Sequence, residues 1–161
     1  MRSLLHLWLA LLLLATPAAA ATYGKVTWIY DGDTLKVAGV GKVRLLGIDA
    51  PEHEDSDRDR FYRRWGIAPA RLRRIATENL RFQIRTVKGK IVTLRFDREM
   101  RDRYGRTLAY VFLPDGRMLN RVLLQKGYAS VFRRFEFARK QEFLRLEQNA
   151  RQRGVGLWAR P

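Results

Sequence analysis

The chain has no cysteine. That excludes disulfides, thiol catalysis and zinc sites built on thiolates. Histidine is nearly absent: His6 and His53 are the two present. His6 lies in an apolar N-terminal run, which leaves one imidazole for the remainder. A two-histidine acid–base pair and a zinc site with two histidines are therefore excluded. Serine occurs three times, at Ser3, Ser56 and Ser130. None sits in a Gly-x-Ser-x-Gly turn, so a serine hydrolase is not expected. Acids are also scarce, 16 Asp+Glu against 32 Lys+Arg in 161 residues. Any hydrolytic chemistry is left to carboxylates, arginines, tyrosines and metal.

What is there begins with charge. A net charge of +16 favours polyanions, nucleic acid before anionic membrane. The plainer alternative is a solvated basic surface. The length suits one domain with a modest core.

Arg2 precedes a Leu-rich run from Leu4 to Ala15, followed by Thr16, Pro17 and Ala18 to Ala21. A charged start, an apolar stretch and an Ala-x-Ala zone predict a signal peptide over residues 1–21. Cleavage after Ala20 or Ala21 is expected, leaving a domain over residues 22–161 in the periplasm or medium. An uncleaved anchor is the alternative, but the run is at the short limit for spanning a bilayer.

Tyr23 to Asp31 alternates and predicts a strand with Val26, Trp28 and Tyr30 on one face. Asp31-Gly32 reads as a turn. Thr34–Val37 is a second strand, Gly39–Gly41 a turn, and Val43–Ile48 a third strand. His53–Trp65, with four acids and four arginines, reads as an exposed loop. Asp55, Asp57 and Asp59 alternate like the start of an EF-hand. Arg60 stands where its glycine belongs and Gly66 where its glutamate belongs, so that site is rejected. Pro69 opens a helix, with Leu72, Ile75, Ala76, Leu80, Ile84 and Val87 at helical spacing and arginines on its other faces. Ile91–Asp97 and Thr107–Leu113 are strands four and five. Asn120 is expected to cap a short helix ending at Gly127. A last helix is expected over Phe135–Arg153, with Phe143, Leu146 and Ala150 inward and Trp158 anchoring the tail. Five short strands with interspersed helices suggest an α+β fold around a small closed barrel of the OB type.

Asp31–Glu52, DGDTLKVAGVGKVRLLGIDAPE, carries the chemistry. Asp33 and Asp49 each lie near a strand end. Two carboxylates, a main-chain carbonyl and waters suit calcium. Pro51 fixes the backbone so that Glu52 can turn back toward the metal and take a proton from its water. Arg44 and Arg106 are planar forks that bind phosphate oxygens bidentately, and Arg103 and Tyr104 lie in the same turn as Arg106. Arg44 and Asp49 are separated by an odd number of residues, which on a regular strand sends them to opposite faces. A bend, at Gly47, is required to join them.

DGDT, RLLGIDAPE, DRYGRTLAYVFLPDG and GLW, in this order, resemble the staphylococcal nuclease (thermonuclease-like) family over about Tyr23 to Trp158. The resemblance implies an OB-fold five-stranded β-barrel with three α-helices. It also implies calcium-dependent cleavage of DNA and RNA to 3′-phosphate products. Separately, the chain is expected to act as a monomer, with no stable protein partner implied. By motif, Asp33 and Asp49 match the calcium-binding acids, and Ala50 the position that lends calcium its backbone carbonyl. Glu52 matches the general base, and Arg44 and Arg106 the phosphate-binding arginines. Arg103 and Tyr104 fall at nucleotide-contacting positions. Arg133 and Phe135 stand where the family has two tyrosines, and Phe135 can still stack on a base. The competing classes are a non-catalytic nucleic-acid-binding module and a membrane-surface protein. No acid or arginine of the site is missing, which speaks against the first.

Overall fold

The structure is a computed structural model that describes residues 21–160. All but the last residue of the expected signal peptide lies outside the described residues. β1 (Thr22–Ile29) holds the first departure from simple alternation. Its pairing with β2 (Thr34–Val37) slips between Val26 and Trp28. The extra residue changes the strand's parity. Val26 and Ile29 therefore face the core, while Trp28 and Tyr30, expected beside Val26, turn outward.

β3 (Gly41–Leu45) pairs antiparallel with β2, and β6 (Thr107–Phe112) runs parallel to β3. β5 (Ile91–Arg95) pairs with both β6 and β1. The order β1-β2-β3-β6-β5 closes into a barrel. This is the expected five-stranded OB-type α+β fold. Its interior is aliphatic, with Leu35, Leu45, Leu94 and Val111 fully buried. The predicted third strand breaks at Leu46-Gly47, and Ile48–Asp49 becomes β4, paired with β7 (Ser130–Val131). Gly47 has φ +79°, and a Cβ there would meet the Phe137 ring at 2.5 Å. Only glycine suits such a turn.

Three sizeable helices pack on the barrel. α2 (Pro69–Thr86) starts at its proline as expected. Its inward face carries Leu72, Ile75, Ala76, Asn79 and Gln83, while Ile84 is exposed. Two amides thus stand where an apolar stripe would continue. α3 (Leu119–Gln125) begins at Met118 without a side-chain cap. Asn120 is inside the barrel end instead, accepting from the Val111 N–H and donating to the Leu46 carbonyl, each at 3.0 Å. The last helix, α4 (Lys140–Arg153), is shorter than its apolar pattern suggests. Phe135 and Phe137 precede it as part of an aromatic row from Phe132 to Phe143.

The expected exposed loop contains a short helix, α1 (Asp59–Arg63). Tyr62, Ile67, Leu72, Ile75 and Leu157 form a second small core beneath it. Asp59 is buried and pairs with Arg73 of α2 at 2.6 Å. Trp65 packs on Trp158 at 5.4 Å, with the Arg151 guanidinium against both rings. Trp158 is thus the expected anchor for the tail.

Candidate active site

The site lies at the end of the barrel where β2, β3 and β4 meet. Asp33 precedes β2, and its main-chain carbonyl accepts the Leu45 N–H at 2.8 Å. Thr34 and Arg44 are register partners across β2 and β3. Asp33 and Arg44 thereby reach the same spot. The turn at Gly47 then swings Asp49 back toward Arg44, which resolves the parity conflict.

Arg44 is the hub, and only 8% of its surface is exposed. It donates through Nη1 to Asp33 Oδ1. Through Nη2 it donates to Asp49 Oδ1 at 3.0 Å and to the Ile48 carbonyl at 3.2 Å. Its guanidinium lies 5.8 Å from the Phe132 ring centroid. Asp33 is further held by the Thr34 hydroxyl at 3.0 Å and the Ala50 N–H at 3.1 Å. The Asp49 carbonyl accepts the Tyr62 hydroxyl at 2.9 Å.

Glu52 joins the cluster through Arg58, a residue the sequence did not flag. Arg58 donates to Asp49 Oδ1 and, at 2.5 Å, to Glu52 Oε1. Arg106 joins from the far side. Asp102 accepts its Nε–H at 2.7 Å, and its Nη1 reaches the Thr34 hydroxyl at 3.5 Å. One connected run therefore goes from Arg106 through Thr34, Asp33, Arg44, Asp49 and Arg58 to Glu52. Tyr104 is exposed, with Arg103 and Arg106 at 4.8 and 5.5 Å from its ring centroid. Phe135 stacks between Phe132 and Phe137, at 5.2 and 5.8 Å. Phe132, rather than Phe135, faces the cleft beside the site. That cleft has a volume of about 700 Å³, and Asp49, Arg58, Phe61, Arg64, Phe132 and Arg133 are among its walls. Arg133 is engaged elsewhere, by the buried Glu147 and by the Val131 carbonyl at 3.1 Å.

Electrostatics separate the acids. Burial works to raise Asp33, but Arg44, Arg58 and the Ala50 N–H prevail and hold it below the usual carboxylate range. Burial and the Asp33 charge push Asp49 up despite its two arginines. Burial, with Asp33 and Glu52 nearby, raises Asp31 to about 6. Burial leads both upward shifts, and repulsion from the Asp33 charge comes second.

Sequence reasoning also missed the support beneath Asp33. Asn79 and Gln83 of α2 both donate to the Gly32 carbonyl, at 3.0 and 2.9 Å. A Cβ on Gly32 would meet Asn79 Nδ2 at 2.6 Å and the Ala50 Cβ at 2.4 Å. The available signal was two amides, i and i+4, on the apolar face of a helix.

A family model described as staphylococcal nuclease homologue matches residues 42–160. An uncharacterized protein of Methanocaldococcus jannaschii is 38% identical over 148 residues, covering 84% of this chain and 71% of the relative. A protein of Escherichia coli O157:H7 named uncharacterized endonuclease is 33% identical, covering 94% of this chain and 87% of its own length. The micrococcal nuclease of Shigella flexneri is 30% identical, with 93% and 81% covered. With the barrel, the family match and these relatives in agreement, the chain belongs to the staphylococcal nuclease homologue family.

Proposed function

We propose that the protein is a calcium-dependent endonuclease that hydrolyses phosphodiester bonds of DNA and RNA to 3′-phosphate products. The observation that carries this reading is the connected run from Arg106 to Glu52, which gathers residues distant in sequence at one end of the barrel. Among the described residues no group of three or more Asp, Glu or His side chains forms a ready cation cage. The donor set still fits calcium. Asp33 and Asp49 are hard oxygen donors side by side at Arg44, and main-chain oxygen and water can complete the shell. Asp33, Asp49 and the Ala50 carbonyl would hold the ion. When bound, it supplies positive charge to the phosphoryl oxygens and lowers the pKa of a water ligand.

The chain's own residues supply the rest. Glu52 accepts a proton from the attacking water. The water oxygen bonds to phosphorus, the bond to the 5′ oxygen breaks, that oxygen takes up a proton from solvent to leave as a hydroxyl, and the phosphate stays on the 3′ oxygen. Arg44 and Arg106 hold the phosphoryl oxygens and stabilise the charge that builds on them. Burial of Arg44 strengthens that stabilisation, since a buried charge is screened less than one in water. Arg103 and Tyr104 contact the flanking nucleotide, and a base can stack at Phe135 or its neighbour Phe132.

Export by the N-terminal segment, to periplasm or medium, and action as a monomer without a stable protein partner belong to the same proposal. Among the described residues no helix is long and apolar enough to cross a membrane. N-terminal sequencing of the exported protein should begin at Ala21 or Thr22.

The decisive experiment is nicking of plasmid DNA by purified protein, with calcium and then with chelator. Calcium-dependent nicking is expected, with a loss of about 10²–10⁴ in Glu52→Gln. Nicking that ignores the chelator, or a Glu52→Gln variant as active as wild type, overturns the mechanism. Salt-dependent binding without any cleavage would instead identify a non-catalytic binding module.

A further inference from the structure

Two arginines touch Asp49, and they are not equivalent. Arg44 comes from inside the barrel on β3, its side chain 10% exposed. It is fixed by Asp33, Asp49 and the Ile48 carbonyl together. Arg58 comes from outside, on the segment just before α1, with its side chain 41% exposed. Its two ends bridge Asp49 Oδ1 and Glu52 Oε1. One guanidinium therefore spans an acid expected to hold the cation and the acid expected to activate water. Among the described residues no donor engages Asp49 Oδ2, so both arginines converge on the same oxygen of that carboxylate.

We propose that Arg58 is an internal latch that occupies the acids in the metal-free protein and is displaced when calcium binds. This inference rests on the calcium reading above. The bridge from Asp49 to Glu52 carries it, with two general arguments and a cleft beside it. A guanidinium is itself a cation with a fork matched to carboxylates, so it can substitute for a metal between two acids. A divalent cation on the same Asp49 carboxylate would repel it at close range. Arg58 also has somewhere to go, because it lines the 700 Å³ cleft beside the site. Asp57, exposed and paired with Arg60 at 3.2 Å, lines the same cleft. Arg44 cannot yield in this way, because leaving would strand buried Asp33 without its charge partner.

The segment that carries Arg58 is held firmly enough to make this a local side-chain swing. Asp59 is locked to Arg73, and Tyr62 is buried against the Asp49 carbonyl. The backbone keeps its position while the exposed guanidinium leaves. Glu52 then regains the oxygen that Arg58 had taken, and can meet water. Calcium binding and release of the general base become one event.

The test compares wild type, Arg58→Gln and Arg58→Lys by calorimetric calcium titration and by thermal unfolding with and without calcium. Arg58 is half exposed, so the variants should fold. Arg58→Gln should bind calcium about tenfold more tightly, the scale expected for removing a partly exposed ion-pair competitor. Its metal-free melting temperature should fall, and its gain on adding calcium should exceed that of wild type. Arg58→Lys, which keeps charge but loses the fork, should lie between. Calcium binding by wild type, tightened in Arg58→Gln with Arg58→Lys between them, supports the latch, while binding by Arg58→Gln alone would show that wild type never releases Arg58 and overturns it. Equal affinities in all three overturn the latch and leave the nuclease reading intact. Weaker binding in Arg58→Gln overturns it also, and makes Arg58 a residue that helps hold the cation. Binding by none of them removes both readings.

Discussion

The side-chain amide of Asn79 donates to the main-chain oxygen of Gly32 across 47 residues of sequence, at 3.0 Å. Gln83, one turn on, donates to the same oxygen and to Asn79 Oδ1, each at 2.9 Å. A helix on the barrel's outside thereby fixes the peptide next to Asp33. Asn79→Ala removes one of the two donors to the Gly32 carbonyl and the side-chain acceptor of Gln83, and should cost about 1–3 kcal/mol in urea unfolding. Calcium affinity should fall with it, because Asp33 loses its fixed start. Unchanged affinity in a folded variant would show that α2 supports stability alone.

Gly47 should tolerate no side chain. Alanine there meets both the positive φ and the Phe137 ring. The left-handed conformation alone costs about 1–2 kcal/mol, and the forced packing about 1–3 kcal/mol more. Because this turn brings Asp49 to Arg44, Gly47→Ala should lose cleavage beyond what its unfolded fraction explains. Activity measured well below its melting temperature separates the two effects.

Asp31 gives a pH dependence with a definite sign. Its folded-state value of about 6 lies above the ordinary 3.8. The native state therefore binds the proton more tightly than the unfolded one. The resulting stability is fully present below pH 4 and is lost as pH rises through about 6. Asp31→Asn keeps an oxygen for the Asp33 N–H, now 2.9 Å away, without the charge. It should be more stable than wild type above pH 6 by about 1–3 kcal/mol, at about 1.4 kcal/mol per unit, and equal to it below pH 4. Calcium should narrow the gap. Melting curves across pH in chelator and in calcium read this directly.

Asp102 aims Arg106. Its carboxylate takes the Arg106 side chain at 2.7 Å and the Arg106 and Tyr104 N–H groups at 3.0 Å. Asp102→Asn keeps an oxygen for the turn and loses the charge that orients the guanidinium. Cleavage should drop by about 10- to 100-fold, as expected for a misdirected phosphate contact. Stability should change by less than about 1 kcal/mol, because the pair is partly solvated. A large fall in melting temperature with normal turnover would make Asp102 a structural turn residue only.

The barrel was legible because its strands alternate and its turns carry glycine at points of positive φ, as at Gly47. Individual faces were less so. One extra residue between Val26 and Trp28 reverses the outer half of β1, and composition does not announce a bulge. The bend at Gly47 brings Arg44 and Asp49 together with Asp33, while Phe135 packs between Phe132 and Phe137 away from the cleft. What the sequence hid were residues whose partners are remote or ambiguous. Asn79 and Gln83 looked like interruptions of an apolar stripe, because their common partner is a carbonyl on another element. Arg58 was one of four arginines in a charged stretch that read as loop, and no periodicity singled it out. Asn120 looked like a cap because asparagine commonly is one. Burial instead gave it three barrel partners.

The run from Arg106 to Glu52 alternates in sign, with Thr34 as its single neutral link. That ordering constrains how such a sequence can change over generations. At its buried centre, dropping Arg44 strands Asp33 without its ion-pair partner, so a lone substitution there is penalised on stability before activity is even counted. A lineage that gives up Arg44 has to surrender Asp33 with it. Paired absence, rather than scattered decay, is the mark by which a descendant that no longer cleaves could be told from one that does.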